Sequence, residues 1–142
     1  MTQLAERLQE PAPLEAAAYS PARLILMRRH LEHLHSQAAT ASGQLARQEK
    51  RFEDLAQAWV EETNAVSSTT ELIGHWAYMA IVRMGSAAVP FLLREMAEEP
   101  DHWGPALETL TGENPVSSEH IGDVEAMARD WVNWGKARRI LR

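Results

Sequence analysis

The chain has 142 residues, of which 45% are hydrophobic, and its formal net charge at pH 7 is -6. This length suits one globular domain with a single core, and the lack of cysteine excludes disulfides, thiolate zinc sites and cysteine nucleophiles. Apolar runs are too short to span a bilayer and the first residues lack the pattern of a signal peptide, so we expect a cytoplasmic protein that contacts no membrane. The seven glycines are scattered singly and form no phosphate loop, and we expect no cofactor.

Charge is unevenly distributed along the chain. Between Glu71 and Asp130 there are eleven acidic and three basic residues, a balance that opposes non-specific binding to nucleic acid. Two basic clusters leave a local contact with an anionic partner open. They are Arg23, Arg28 and Arg29 near the start of the chain, and Lys136, Arg138, Arg139 and Arg142 in the basic tail 136–142.

One short helix and a connector are predicted in residues 1–20. A helical pattern covers residues 2–10, and Pro11 and Pro13 end it because proline cannot continue a helix. An alanine-rich connector follows.

A long helix with a heptad pattern is predicted over residues 21–63. Ser20 is a favourable N-cap and Pro21 suits the first helical position. Positions spaced alternately three and four residues apart form one stripe, the seam, and all of them except Gln48 are apolar. A period of about 3.5 residues keeps such a stripe facing a partner helix. The seam consists of Leu24, Met27, Leu31, Leu34, Ala38, Ala41, Leu45, Gln48, Phe52, Leu55 and Trp59.

The predicted length of this helix exceeds what a compact domain covers. A helix of about 43 residues reaches roughly 64 Å, whereas a domain of this size has a radius of gyration of about 15 Å. Either the helix breaks near Ser42 and Gly43, or part of the seam contacts another chain. The small side chains of Ala38 and Ala41 would let a partner helix approach closely.

Shorter helices are predicted over residues 64–135. Ser68 and Glu71 form a capping box that opens the first of them. This helix is expected to run to Gly85, after which Ser86 caps the next helix.

Two further helices complete the predicted bundle. Asp101 is expected to cap one that stops at Gly112, and the last begins after Ser118 or Gly122 and ends at Gly135. No strand or hairpin pattern occurs in the sequence. The sequence therefore predicts an all-α fold, in which a long N-terminal heptad helix packs with a bundle of shorter helices in one domain.

Residues 69–111 resemble a HEAT-type helical repeat. The resemblance rests on the stretch AIVRMGSAAVPFLLREMAEEP, where one helix ends near Gly85 and a second begins with Ala88-Val89-Pro90-x-Leu92-Leu93. Repeats of this kind imply a protein-binding scaffold. The whole chain is also similar to small bacterial proteins that share the Pro-Asp-His-Trp and Thr-Gly-Glu-x-Pro patterns of residues 100–103 and 111–115, a similarity that implies no activity.

The stretch Asp101-His102-Trp103 is the first candidate for chemistry. The pattern favours a structural interpretation, in which Asp101 caps a helix, Trp103 anchors the core and His102 lies in the first turn. In the alternative, Asp101 orients His102 as a base, with Glu108 or Glu113 nearby. This alternative lacks a nucleophile or metal motif, and neighbouring side chains in a helical turn point apart.

Three histidines and a glutamate near the seam form a second candidate. The group, His30, Glu32, His33 and His35, lacks the i, i+4 spacing of zinc-binding HExxH helices. Solvated positions are therefore favoured over a metal or anion site.

Glu119, His120 and Asp123 form a third candidate, a carboxylate–imidazole group. Asp123 suits a helix cap or first turn, and Glu119 likewise suits a helix N-terminus. The alternative is a metal site that joins them to His102 in space.

The sequence predicts a non-enzymatic interaction or assembly module, a small subunit of a bacterial multi-protein complex. It binds a protein partner, or a second copy of itself, through the seam. Trp131 and Trp134, near the tail, are assigned first to the core. The alternative is a partner surface, because aromatic residues and arginine dominate binding hot spots. The predicted partner-binding residues are Leu24, Met27, Arg28, Arg29, Leu31, Leu34, Trp131, Trp134, Arg138 and Arg139.

Two other functions stay open at this point. An accessory subunit would contact nucleic acid through the two basic clusters, and its affinity would fall steeply with salt. A metal-dependent hydrolase would use His102, Glu108 and His120.

Overall fold

The computed structural model describes residues 20–142, which contain six α-helices and no strand. This confirms the predicted all-α class, while the helix and connector predicted in residues 1–20 lie almost wholly outside the described residues. The α-helices are α1 Pro21–Glu62, α2 Thr69–Gly74, α3 Trp76–Arg83, α4 Val89–Glu98, α5 Gly104–Thr111 and α6 Val124–Ala137, and 3-10 helices span Gly85–Ala88 and Ser118–His120.

The chain divides into two compact units within helix α1. The first unit ends at Gln44 and the second runs from Leu45 to Arg142. Helix α1 continues through Ser42 and Gly43, so the break considered there does not occur.

Aromatic side chains form the centre of the core in residues 45–142. The ring centroids of Trp59 and Trp103 lie 4.4 Å apart, and Tyr78 stacks on Trp103 at 5.3 Å. Phe52 contacts Phe91 with centroids 5.6 Å apart. Aromatic pairs at such distances contribute roughly 0.5–1.5 kcal/mol each beyond the burial of their area. Through Phe52 and Trp59, residues 45–62 of α1 therefore form part of the bundle.

Helices α4 and α6 pack closely at Gly135. A Cβ at Gly135 would lie 2.9 Å from Leu93 Cδ1, inside normal van der Waals contact. The prediction that Gly135 ends the last helix is wrong, because α6 continues to Ala137 and the glycine serves packing instead. The chain turns just after this helix at Arg139, whose φ is 59°.

Several predicted helix ends are confirmed. Ser68 Oγ accepts a hydrogen bond from the Glu71 N–H at 3.4 Å, and Asp123 Oδ1 accepts one from the Ala126 N–H at 3.1 Å. Gly112 follows α5 in the left-handed region, with a φ of 71°, where glycine carries no steric penalty.

The predicted cap at Asp101 is wrong. Its Oδ1 accepts a hydrogen bond from the N–H of His102 at 2.8 Å. His102 precedes α5, which begins at Gly104, so this bond does not cap the helix. The N–H of Ala106, which has no partner within the first turn of α5, donates to the Tyr78 hydroxyl at 2.9 Å. A side chain distant in sequence therefore does the capping.

The helix predicted from Ser68 to Gly85 is divided at His75. Its Nδ1 accepts from the Ala77 N–H at 3.1 Å and caps α3. The predicted cap at Ser86 is also wrong, since Ser86 lies inside the 3-10 helix that leads directly into α4.

Within residues 20–142, no single helix is long and apolar enough to cross a membrane. The pair Trp76–Arg83 and Gly85–Glu98, bent by 111°, passes the same test of length and composition only when the two are taken together.

Candidate functional site

The seam residues of the first unit are exposed. Leu24, Met27, Leu31 and Leu34 each expose between 44% and 54% of their surface. Their spacing of three and four residues places them on one stripe of α1. Contiguous apolar surface of this kind marks binding sites in folded proteins, so we call residues 24–41 of the seam the N-terminal seam.

Two further apolar side chains next to the N-terminal seam were not among the predicted partner-binding residues. Ile25 and Leu26 are 54% and 65% exposed. With Leu24 and Met27 they make four consecutive apolar residues, which point in all directions around one helical turn. The heptad pattern could not predict them because it selects one stripe only.

Arginines flank the N-terminal seam. Arg23 and Arg28 lie at the flanking positions of the heptad, and Arg29 lies on the opposite side of the helix. All three are exposed, and Glu32 is the one acidic residue between positions 21 and 44. The surface around the stripe is therefore cationic, and its charges decide which alignments of an approaching partner are favourable.

The histidines beside the N-terminal seam are exposed as well. His30, His33 and His35 lie on α1, and residues 20–142 contain no group of three His, Asp or Glu side chains placed to hold a metal ion. The solvated interpretation of these histidines fits their exposure.

The predicted partner surface near the tail is largely part of the fold. Trp131 is only 1% exposed, so its inclusion among the partner-binding residues is wrong. Trp134 packs edge-on against it, with ring centroids 5.4 Å apart. Arg138 lies over the Trp134 ring at 5.2 Å and bonds to Glu113. Core packing, the first interpretation of both tryptophans, explains these contacts.

The stretch Asp101-His102-Trp103 serves the junction between α4 and α5. Trp103 is buried in the aromatic core, and the carbonyl of His102 accepts a hydrogen bond from the Tyr78 hydroxyl at 2.8 Å. Burial raises the pKa of Tyr78 well above its usual value, so this phenol stays a hydrogen-bond donor. These contacts fix the backbone of the stretch and explain the burial of Trp103.

His120 pairs with a residue that the sequence did not single out. Its Nδ1 lies 2.6 Å from Oδ2 of Asp130 on α6. The same oxygen accepts from the Ser117 N–H at 3.0 Å. The bond to His120 and then the bond to Ser117 lower the pKa of Asp130 below its usual value. Asp123 caps α6, so the predicted grouping of Glu119, His120 and Asp123 is replaced by a pair that ties the loop to the helix.

An acidic surface surrounds Glu95 on α4. Partial burial raises the pKa of its carboxyl above the usual value, and the nearby charges of Glu99 and Glu98 raise it further. Like charges this close destabilise the ionised form. The cluster therefore lowers stability slightly at neutral pH.

A groove of about 1160 Å³ lies between α4 and α6. The apolar part of its lining includes Pro90, Phe91 and Val132. No local pattern predicted it, because helices distant in sequence form it. Its charged residues have both signs and favour no single ligand: Arg94, Glu98, Glu125, Arg129, Lys136 and Arg142.

Comparisons of the chain with protein-family models, with curated proteins and with solved structures find no match. The function is therefore inferred from the contacts, exposure and charges of the chain itself.

Proposed function

We propose that the chain is a non-enzymatic helical interaction module that binds a protein partner through the N-terminal seam. One observation carries the proposal: the four large apolar side chains of this seam are about half exposed, although their spacing is that of a helix–helix contact. Each such side chain contributes roughly 1.5–3 kcal/mol when it is fully buried. Covering the stripe would therefore supply a substantial driving force for association.

The flanking arginines support the same surface. Arg23 and Arg28 are exposed beside the stripe, and arginine is enriched among the residues that dominate binding energies. The cationic flank disfavours any partner alignment that brings another positive charge beside it. In this proposal the chain acts as a small subunit of a larger bacterial assembly.

The second unit would act as the scaffold of the module. Helix α5 packs against both α3 and α4, and the 3-10 helix Gly85–Ala88 contacts all three. The HEAT-like resemblance of residues 69–111 adds a second reason to propose a scaffold. Titratable side chains make bonds within this scaffold: Asp123 caps α6, and Asp130 accepts a hydrogen bond from the loop at Ser117. These bonds give the residues a structural role that needs no catalysis.

A crosslinking experiment in the cells that make the chain tests this function. A photoreactive amino acid is placed at Leu31 in the stripe or, as a matched control, at Ser36 on another face of the same helix. We expect illumination to give a discrete adduct from position 31 and none from position 36. Equal labelling from both positions, or no adduct from position 31, contradicts the proposed function.

A further inference from the structure

The size of the side chains changes along the N-terminal seam. The first four positions hold large residues, Leu24 to Leu34, and the next two hold Ala38 and Ala41. Two helices pack well when large side chains of one face small side chains of the other. A second copy of the same segment meets this condition when it runs in the opposite direction.

An antiparallel register follows from the heptad positions. The first apolar positions of the heptads are Leu24, Leu31 and Ala38, and the second are Met27, Leu34 and Ala41. In an antiparallel pair, a first position of one helix packs against a second position of the other helix. Leu24 then meets Ala41 of the second copy, and Met27 meets Ala38 of the second copy. The central layers join Leu31 to Leu34 of the second copy, so the largest side chains lie in the middle.

The charges favour the same orientation. In a parallel pair, a flanking residue of one helix lies beside the flanking residue five positions later on the other helix. Arg23 would then lie beside Arg28 of the second copy. In the antiparallel register Arg23 lies beside Gln44 of the second copy, and Arg28 beside His35 of the second copy. The parallel pair thus brings two permanent like charges together, and the antiparallel pair keeps arginine from arginine.

We propose that the occupant of the N-terminal seam is a second copy of this chain, paired antiparallel with Leu31 against Leu34 of that copy. This proposal rests on the proposed function and names its partner. The paired segment of 18 residues is roughly 27 Å long, which is short for a two-helix pair. The association is therefore reversible and depends on protein concentration.

The absence of cysteine from the chain makes disulfide mapping a clean test. Leu24→Cys and Ala41→Cys variants are purified, mixed and oxidised, and their different masses identify each product. We expect the mixed disulfide between positions 24 and 41. A disulfide requires Cα atoms within about 7 Å, whereas the two copies of position 24 would lie about 26 Å apart along the helix, so the Leu24→Cys variant should not crosslink to itself.

The matched control mixes Leu24→Cys with Ala39→Cys. Position 39 lies two residues from position 41, at nearly the same level of the helix but on another face, and should give at least tenfold less mixed product. Light scattering of the unmodified chain at about 100 µM should in parallel give a mass above the 16.0 kDa of one chain.

Two results would overturn the pairing, and they separate it from the proposed function. Self-crosslinking of Leu24→Cys would show a parallel pair. A single-chain mass with no mixed disulfide would remove the second copy as occupant. If the photoreactive residue at Leu31 still labels a different protein, the interaction function stands without self-pairing; if it labels nothing, both proposals fail.

Discussion

The two parts of helix α1 carry the same heptad pattern and differ in what covers it. In the second unit the seam residues Phe52 and Trp59 are 3% and 1% exposed, because aromatic side chains of the bundle pack on them. In the first unit Leu31 is 52% exposed. One pattern thus serves two purposes: the later heptads stabilise the fold, and the earlier ones present an apolar surface.

The difference shows what a heptad pattern can and cannot indicate. It predicts that a stripe will be buried against a neighbour, and the period of 3.5 residues is the same whether that neighbour is in the same chain or another. The composition of the stripe changes along α1, from aliphatic residues to aromatic ones such as Phe52 and Trp59. The aromatic part belongs to the folded core.

The largest expected effect comes from truncating the buried part of the stripe. Phe52→Ala should reduce the free energy of unfolding by about 3–5 kcal/mol, because it leaves a cavity beside Phe91. Leu31→Ala should change it by less than about 0.5 kcal/mol at a concentration where the chain is dissociated. Urea unfolding followed by far-UV circular dichroism measures both. Similar losses from the two variants would mean that the two parts of α1 are equally buried.

The second effect concerns association. The double variant Leu31→Glu/Leu34→Glu should raise the dissociation constant of the assembly at least about 100-fold, or about 2.7 kcal/mol, because carboxylates cannot be buried between apolar layers. Sedimentation over a series of concentrations measures this constant. Ser36→Glu/Ala39→Glu adds the same charge to the same helix on other faces and should change it less than about threefold. The proposed surface is wrong if both double variants weaken assembly equally.

The smallest effect is the response of the bundle to acid. The pKa of Asp130 is lowered in the folded state, so the ionised carboxylate contributes to the free energy of unfolding. This contribution is fully present above the unfolded-state pKa of about 3.9 and is lost as pH falls through the lower folded-state pKa. Asp130→Asn should therefore destabilise the second unit at about pH 7 and differ less from the wild type at about pH 2.5. Asp54→Asn, which removes an exposed pair with Lys50, is the control. A difference for Asp130→Asn that stays constant across this range would contradict the assignment.

Local chemistry allowed much of the fold to be predicted from the sequence. Ser68, Asp123 and Gly112 act within three or four residues of themselves, so their roles as helix boundaries are visible in the sequence. Helix α1 was predicted to within one residue at its C-terminal end, which lies at Glu62, because its heptads are regular.

The remaining features depend on residues that meet only in the folded chain. Aspartate commonly caps helices, but at α5 the hydrogen bond expected of Asp101 is made by the hydroxyl of Tyr78, which lies on α3. Glycine commonly ends a helix, but Gly135 lies inside the last turn of α6 and packs closely against Leu93. The pairing of His120 with Asp130 likewise depends on where a loop meets α6.

The candidate site was predicted in part for the same reason. Spacing identified Leu24, Met27, Leu31 and Leu34, whose side chains the structure leaves exposed. Spacing could not exclude Trp131 from the predicted partner-binding residues. An amphipathic helix near a basic tail is consistent with either a buried or an exposed indole.

The placement of the tryptophans gives the molecule an optical reporter of its own. All five tryptophans lie from residue 59 onward, and Trp59, Trp103 and Trp131 are buried. Intrinsic fluorescence therefore records the bundle, while residues 20–44 contribute helix content but no indole emission. An unfolding curve followed by emission and one followed by helicity will sample different parts of the chain, and any gap between the two curves measures fraying of the first unit.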